Sequence, residues 1–104
     1  QLNQVAFQLE YQNYENSLRS EYEMAKYNLE TALQNLSLYD RQIKNTEMAI
    51  KILMDSYSNS GKDFEEVLRM QQELLKYQKA HVVALKDYHI ALARIKYVIG
   101  NPFP

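Results

Sequence analysis

The chain has 104 residues, 46% of them hydrophobic and 24% charged, with a formal net charge of −1 and neither cysteine nor tryptophan. Acidic and basic residues are interspersed, so there is no electrostatic footprint for DNA, RNA or an anionic membrane surface; the lack of cysteine excludes disulfides and thiolate chemistry but leaves the compartment open. No run approaches the ~18 apolar residues of a membrane span, and the opening Gln1-Leu2-Asn3-Gln4 carries neither a signal peptide nor an initiator methionine, which predicts a piece of a longer protein.

The two glycines and two prolines fall at two places, Gly61 in the middle and Gly100, Pro102 and Pro104 at the end. Nothing interrupts the long segments on either side of Gly61, so the chain is predicted to be all-α: helix 1 over about 2–58, a turn over about 59–62, helix 2 over about 63–99, and a tail over 100–104. In the first segment Leu18, Tyr22, Ala25, Leu29, Ala32, Leu36, Tyr39, Ile43, Thr46, Ile50, Leu53 and Tyr57 follow one another at alternating spacings of four and three. A mean spacing near 3.5 keeps one stripe turned toward one partner helix, as in a left-handed coiled coil. The first helix has no start signal, and residues 1–21 overhang any return helix while carrying Val5, Phe7, Leu9, Tyr11, Tyr14 and Leu18. Such a surface calls for a cover.

Between the helices, Asp55 to Asp63 is rich in serine, asparagine and glycine, the residues that supply left-handed and self-bonding backbone at a helix end. Asp63 is placed to cap the second helix, with Glu66 completing a capping box. The return segment repeats the pattern in Phe64, Val67, Gln71, Leu74, Gln78, His81, Leu85, Tyr88, Leu92, Ile95 and Ile99. Folding back at Gly61 gives a long antiparallel two-helix coiled-coil hairpin whose register sets Leu53 against Val67, Leu36 against Leu85 and Leu29 against Leu92. Gln71 and Gln78 would lie in this seam and make its turn-proximal half wetter. Arg94 and Lys96 suit the C-terminal dipole, and Gly100 with Pro102 ends the helix. Further apolar columns flank the second series, Leu68, Leu75 and Val82 on one side and Met70, Tyr77, Ala84, Ala91 and Val98 on the other. That face is too wide for one seam, so the chain is expected to self-associate or to belong to a larger helical wall.

No nucleophile with a base, phosphate loop or metal-ligand spacing is present; His81 and His89 stand eight apart without further ligands. The expectation is therefore no enzyme, no cofactor and no metal. From Tyr39 to Gly100 the chain resembles the C-terminal helical repeat of the TolC family of outer-membrane efflux proteins. The resemblance is carried by Tyr57, Gly61, Phe64, Glu66-Val67-Leu68, Gln71 to Leu75, Tyr88, Ala91-Leu92 and Ile99-Gly100 in that order. Gly61 falls one position later than is commonest, Arg69 stands where an acid is frequent, and Met70 where alanine is frequent. The resemblance implies a homotrimeric channel whose periplasmic α-helical tunnel is built from such hairpins beneath an outer-membrane β-barrel. The turn would be the periplasmic tip, docking with a periplasmic adaptor protein and, through it, an inner-membrane pump that exports small molecules or metals. Tyr57 would match the tip tyrosine, Lys62 would fall near a tying basic residue, and Glu65, Glu66 and Arg69 would surround the aperture. Glu65 and Glu66 also suit a helix first turn by themselves, and Arg69 can pair with either. Two other classes fit a heptad hairpin: the hairpin of a periplasmic adaptor, and a coiled-coil scaffold or holdase.

Overall fold

The computed structural model describes the backbone of residues 2–60 and 64–100, together with their side chains except those of residues 57–60. Two helices account for all of it, α1 over Leu2–Ser60 and α2 over Phe64–Gly100, and they lie along each other as an extended hairpin. Neither stretch contains a proline, and Gly100 is the sole glycine, at the last position of α2. Both are therefore free of the residues that cost most in a helix interior. Helix α1 extends two residues past the expected 58, into Asn59 and Ser60, which were assigned to the turn; α2 starts at Phe64 and takes in Gly100. The proposed turn residues Gly61 and Lys62 and the cap Asp63 lie outside the described residues.

At 1.5 Å per residue, a 59-residue helix is roughly 88 Å long. The molecule measures 87 × 19 × 14 Å, so its long dimension is that of α1. The shorter α2, at 37 residues, covers only the distal part of α1. Every residue from 2 to 17 is exposed, with Leu2 at 88% and Phe7 at 72%, and Leu18 is the first to be partly covered. The overhang read from the sequence is thus a structural fact, although cover begins a few residues earlier than Tyr22.

On α1 the described members of the predicted stripe, Leu18 through Leu53, are all buried or half-buried. On α2 one predicted column is confirmed, since Val67, Leu74, His81, Tyr88 and Ile95 are buried or half-buried. The other is corrected. Phe64, Gln71, Gln78, Leu85 and Ile99 are exposed, Leu92 alone of that column is half-buried, and the seam takes the neighbouring column Met70, Tyr77, Ala84, Ala91 and Val98 instead. The physical reason is twofold. Burying a side-chain amide without a partner costs about 1–3 kcal/mol, and the predicted column would bury two. The chosen column also places Ala84 and Ala91, at 3% and 2% exposure, beside an α1 face that holds Ala25 and Ala32 at 2% each. Small side chains let the two backbones approach closely, which large leucines at the same positions would prevent. The expectation that Gln71 and Gln78 wet the seam falls with the column that contained them.

An open cavity of about 300 Å³ fixes the antiparallel register, because its lining joins Asn28, Thr31, Ala32 and Asn35 of α1 to Asp87, Ile90, Ala91 and Arg94 of α2. This agrees with the register read from the sequence to within a residue or two. Thr46 is the one polar residue in the buried set, and no buried side-chain polar atom among the described residues lacks a partner.

The seam assignment is checked by two substitutions of the same kind. Ala84→Leu should lower stability by roughly 1–3 kcal/mol through overpacking, whereas Ala93→Leu, at an exposed position of α2, should stay within about 0.5 kcal/mol of the parent, both read by thermal or urea unfolding. In the same way, paired cysteines at Ala32 and Ala91 should oxidise within one chain faster than a pair at Leu36 and Leu85, as followed by a mobility shift under denaturing conditions; the reverse order would restore the leucine column to the seam.

Candidate functional site

The first turns of α2 hold a cluster of charged side chains. Glu65 and Glu66 lie in its first turn, where the exposed backbone N–H groups carry partial positive charge and favour acids. One turn on, Arg69 donates from Nε to Glu66 Oε2 at 3.1 Å and from Nη2 to Glu66 Oε1, a two-pronged clamp between residues three apart. Its remaining Nη1 approaches Glu73 Oε1 at 3.9 Å, four residues on. One guanidinium thus stands between two carboxylates along a single helix face, the geometry that (i, i+3) and (i, i+4) spacing provides.

The clamp sets the protonation of Glu66. The hydrogen bonds from Arg69 are the main reason its carboxyl lies below the ordinary glutamate range; a little desolvation opposes them and the nearby positive charge reinforces them. Arg69 is held above its ordinary value, chiefly by the same hydrogen bonds. All three side chains remain substantially solvent-exposed, so the pair orders the helix start more than it stabilises the fold.

Of the residues singled out in the sequence, Glu66 and Arg69 are therefore brought together. Glu65 is exposed, and among the described ion pairs Arg69 is engaged by Glu66 and Glu73 rather than by Glu65. The side chain of Tyr57, and Lys62 entirely, lie outside the described residues. Glu73 was missed, although its spacing from Arg69 is the ordinary four-residue helix pair and could have been read directly. A second exposed pair of that spacing, Asp40 with Lys44 at 3.1 Å, lies on α1 far from the turn.

The groove at Ala32 and Ala91 is the other polar feature, since Asn28, Asn35, Asp87 and Arg94 border it. It was not foreseen, because it arises from two alanines facing each other across the seam. His81 is half-buried and His89 is exposed with its ring edge-on to Tyr88, centroids 5.2 Å apart. Among the described residues no group of three histidine, aspartate or glutamate side chains is placed to hold a metal ion. No described helix is long and apolar enough to cross a membrane.

The chain matches no family model, no curated protein and no solved structure.

Removing the clamp should be visible at one carboxyl. In Arg69→Ala the Glu66 pKa should rise toward the ordinary glutamate value, as measured by carboxyl-carbon NMR titration. The linkage has the usual carboxylate sign: because the folded pKa is the lower one, the clamp's contribution is complete above the unfolded-state pKa and is lost as pH falls through the folded pKa. A parent titration already at the ordinary value would show that the clamp does not hold in solution.

Proposed function

We propose that the hairpin is one tunnel-wall element of a TolC-like outer-membrane efflux channel. The observation that carries this reading is the mismatch between what the hairpin closes and what it leaves open. One thin seam is buried, while apolar residues remain uncovered along α2, at Leu68, Leu75 and Val82 among others, and along the sixteen exposed residues of the α1 overhang. A helix pair with apolar surface beyond its own seam suits a wall in which each helix has neighbours on two sides. The order of residues from Tyr57 to Gly100 adds the family resemblance.

On this reading the chain is the periplasmic part of a homotrimer, and the barrel that holds the protein in the outer membrane lies in other segments. The turn is the periplasmic tip, where a periplasmic adaptor joins the channel to an inner-membrane pump. Glu65, Glu66 and Glu73 stand within the first three turns from that tip, and three symmetry-related copies would crowd their carboxylates around one axis. Arg69 moderates this charge from within its own helix. A ring that retains net negative charge favours cations and repels anions at the aperture.

The reading is tested with the full-length protein that carries this hairpin. It should fractionate with the outer membrane and, reconstituted in planar bilayers, conduct with a preference for cations that Glu66→Gln reduces and Arg69→Ala increases. Recovery of the protein in the cytosol would remove the reading outright. Channels whose selectivity ignores both substitutions would remove the aperture role and leave Glu66 as a helix-start acid.

A further inference from the structure

Moving the seam of α2 by one column has an effect on the rest of that helix. Leu85 and Ile99 lie outside the intramolecular seam and Leu92 is half-buried at its edge; with the exposed Phe64 they fall beside Leu68, Leu75 and Val82. Taken together, positions 64, 68, 71, 75, 78, 82, 85, 89, 92, 96 and 99 form a second series with alternating spacings of four and three along the whole of α2. This stripe lies roughly 100° around the helix from the seam. Every member except the half-buried Leu92 is exposed, with Leu75 at 51%, Val82 at 63% and Ile99 at 61%. A heptad stripe that runs unbroken for ten turns specifies a second helix partner.

We propose that the partner is α2 of a second copy of this chain, packed parallel and in register. The argument rests on the four polar members, Gln71, Gln78, His89 and Lys96. In a parallel dimer each residue of the stripe meets its own copy. Gln71 then meets Gln71 and Gln78 meets Gln78, where each amide can both donate and accept, and His89 meets His89 with the same capacity. Lys96, near the helix end, can carry its ammonium out to solvent along its aliphatic stem. The seven apolar members meet one another, and all seven layers stay intact.

In the end-to-end antiparallel arrangement the same residues are mismatched. Gln71 faces Leu92, Gln78 faces Leu85, His89 faces Leu75 and Lys96 faces Leu68. Only the two Phe64 to Ile99 layers and the central Val82 layer remain wholly apolar. Each mixed layer desolvates a polar group without giving it a partner, at about 1–3 kcal/mol. Polar residues within a heptad stripe are known to select register and orientation in this way.

The area is sufficient. Thirty-six residues span roughly 55 Å, and a strip on the order of 10 Å wide gives about 1,100 Å² over both copies, just above the ~1,000 Å² that a specific interface requires. The inference concerns this chain by itself and does not rest on the channel reading. In a channel the same stripe would be taken by whichever hairpin adjoins it.

The test uses single cysteines in a chain that has none of its own. Leu68→Cys, Val82→Cys and Leu92→Cys should each give a covalent dimer with its own copy under mild oxidation, while Val83→Cys, exposed on another face of α2, should not. Sedimentation of the unmodified chain at micromolar concentration should give the mass of two copies, and Val82→Lys should weaken the dimer by a factor on the order of ten or more with the helical circular dichroism retained. Self-crosslinking at Val82 alone is the antiparallel signature and overturns the proposal. A monomer in sedimentation overturns it as well, as does an oligomer in which none of the three stripe cysteines pairs with itself.

Discussion

The burial of alanines in the seam between the two helices is the constraint from which the other features follow. Among the described residues, Ala25 and Ala32 on α1 and Ala84 and Ala91 on α2 account for four of the six that are buried, and no large side chain is wholly buried. A seam of this kind gains little from the area of each side chain, since stabilisation scales with apolar surface removed from water, about 25 cal/mol per Å². Its gain is cumulative: dispersion contacts with the half-buried residues that flank the alanines add up over a long interface. The rotation of α2 that presents Ala84 and Ala91 also leaves Leu85 and Ile99 exposed and Leu92 only half-buried. The second stripe is therefore a consequence of how the first seam closes.

That rotation also marks the limit of what the sequence made legible. The α1 stripe was read correctly from Leu18 to Leu53 because its two columns are both mostly apolar and each neighbouring column is mixed. On α2 two adjacent columns compete. One holds Leu85, Leu92 and Ile99 with two glutamines, and the other holds two alanines with Met70, Tyr77 and Val98. The first has the bulkier aliphatic side chains, although all five of the second are apolar. Burial follows the second, because a seam made from the first would desolvate the amides of Gln71 and Gln78. Periodicity therefore gave the hairpin and its register while missing which face of α2 turns inward. The groove between Asn28, Asn35, Asp87 and Arg94 was illegible for the same reason, as it exists only where two alanines come opposite each other.

The charge cluster at the start of α2 shows a different kind of legibility. Pairing of Arg69 with an acid was expected from spacing alone, and (i, i+3) pairing with Glu66 is what the structure contains. Choosing between Glu65 and Glu66 requires the side-chain fork: once both nitrogens of one edge are engaged by Glu66, the remaining nitrogen lies toward Glu73, one turn further along. The guanidinium is thereby divided between two carboxylates that flank the seam. Two acids and one base leave the face negative at neutral pH, and Glu65 adds to that charge at the helix start, where the dipole favours it. Exposure and salt screening keep the energies small. What the cluster supplies is a fixed orientation of charge near the turn rather than stability.

The α1 overhang follows from the same limits of helix physics. Helix formation is costly to nucleate and nearly neutral to propagate, with a factor of about 1–1.6 per residue for good helix formers. The packed part of α1 supplies the nucleus, and residues 2–17 extend it without tertiary contacts. Their pattern is not random: Phe7, Tyr11, Tyr14 and Leu18 continue at spacings of four, three and four, on a face that leads into Ala25 and Ala32. The α1 side of the seam thus runs on beyond the end of α2. Aromatic side chains held at helical spacing on an extension with no local partner are costly to leave in water and of no use to the hairpin itself. On the proposed wall reading, the overhang is half of a contact whose other half is a neighbouring helix, approaching from the side on which α2 ends.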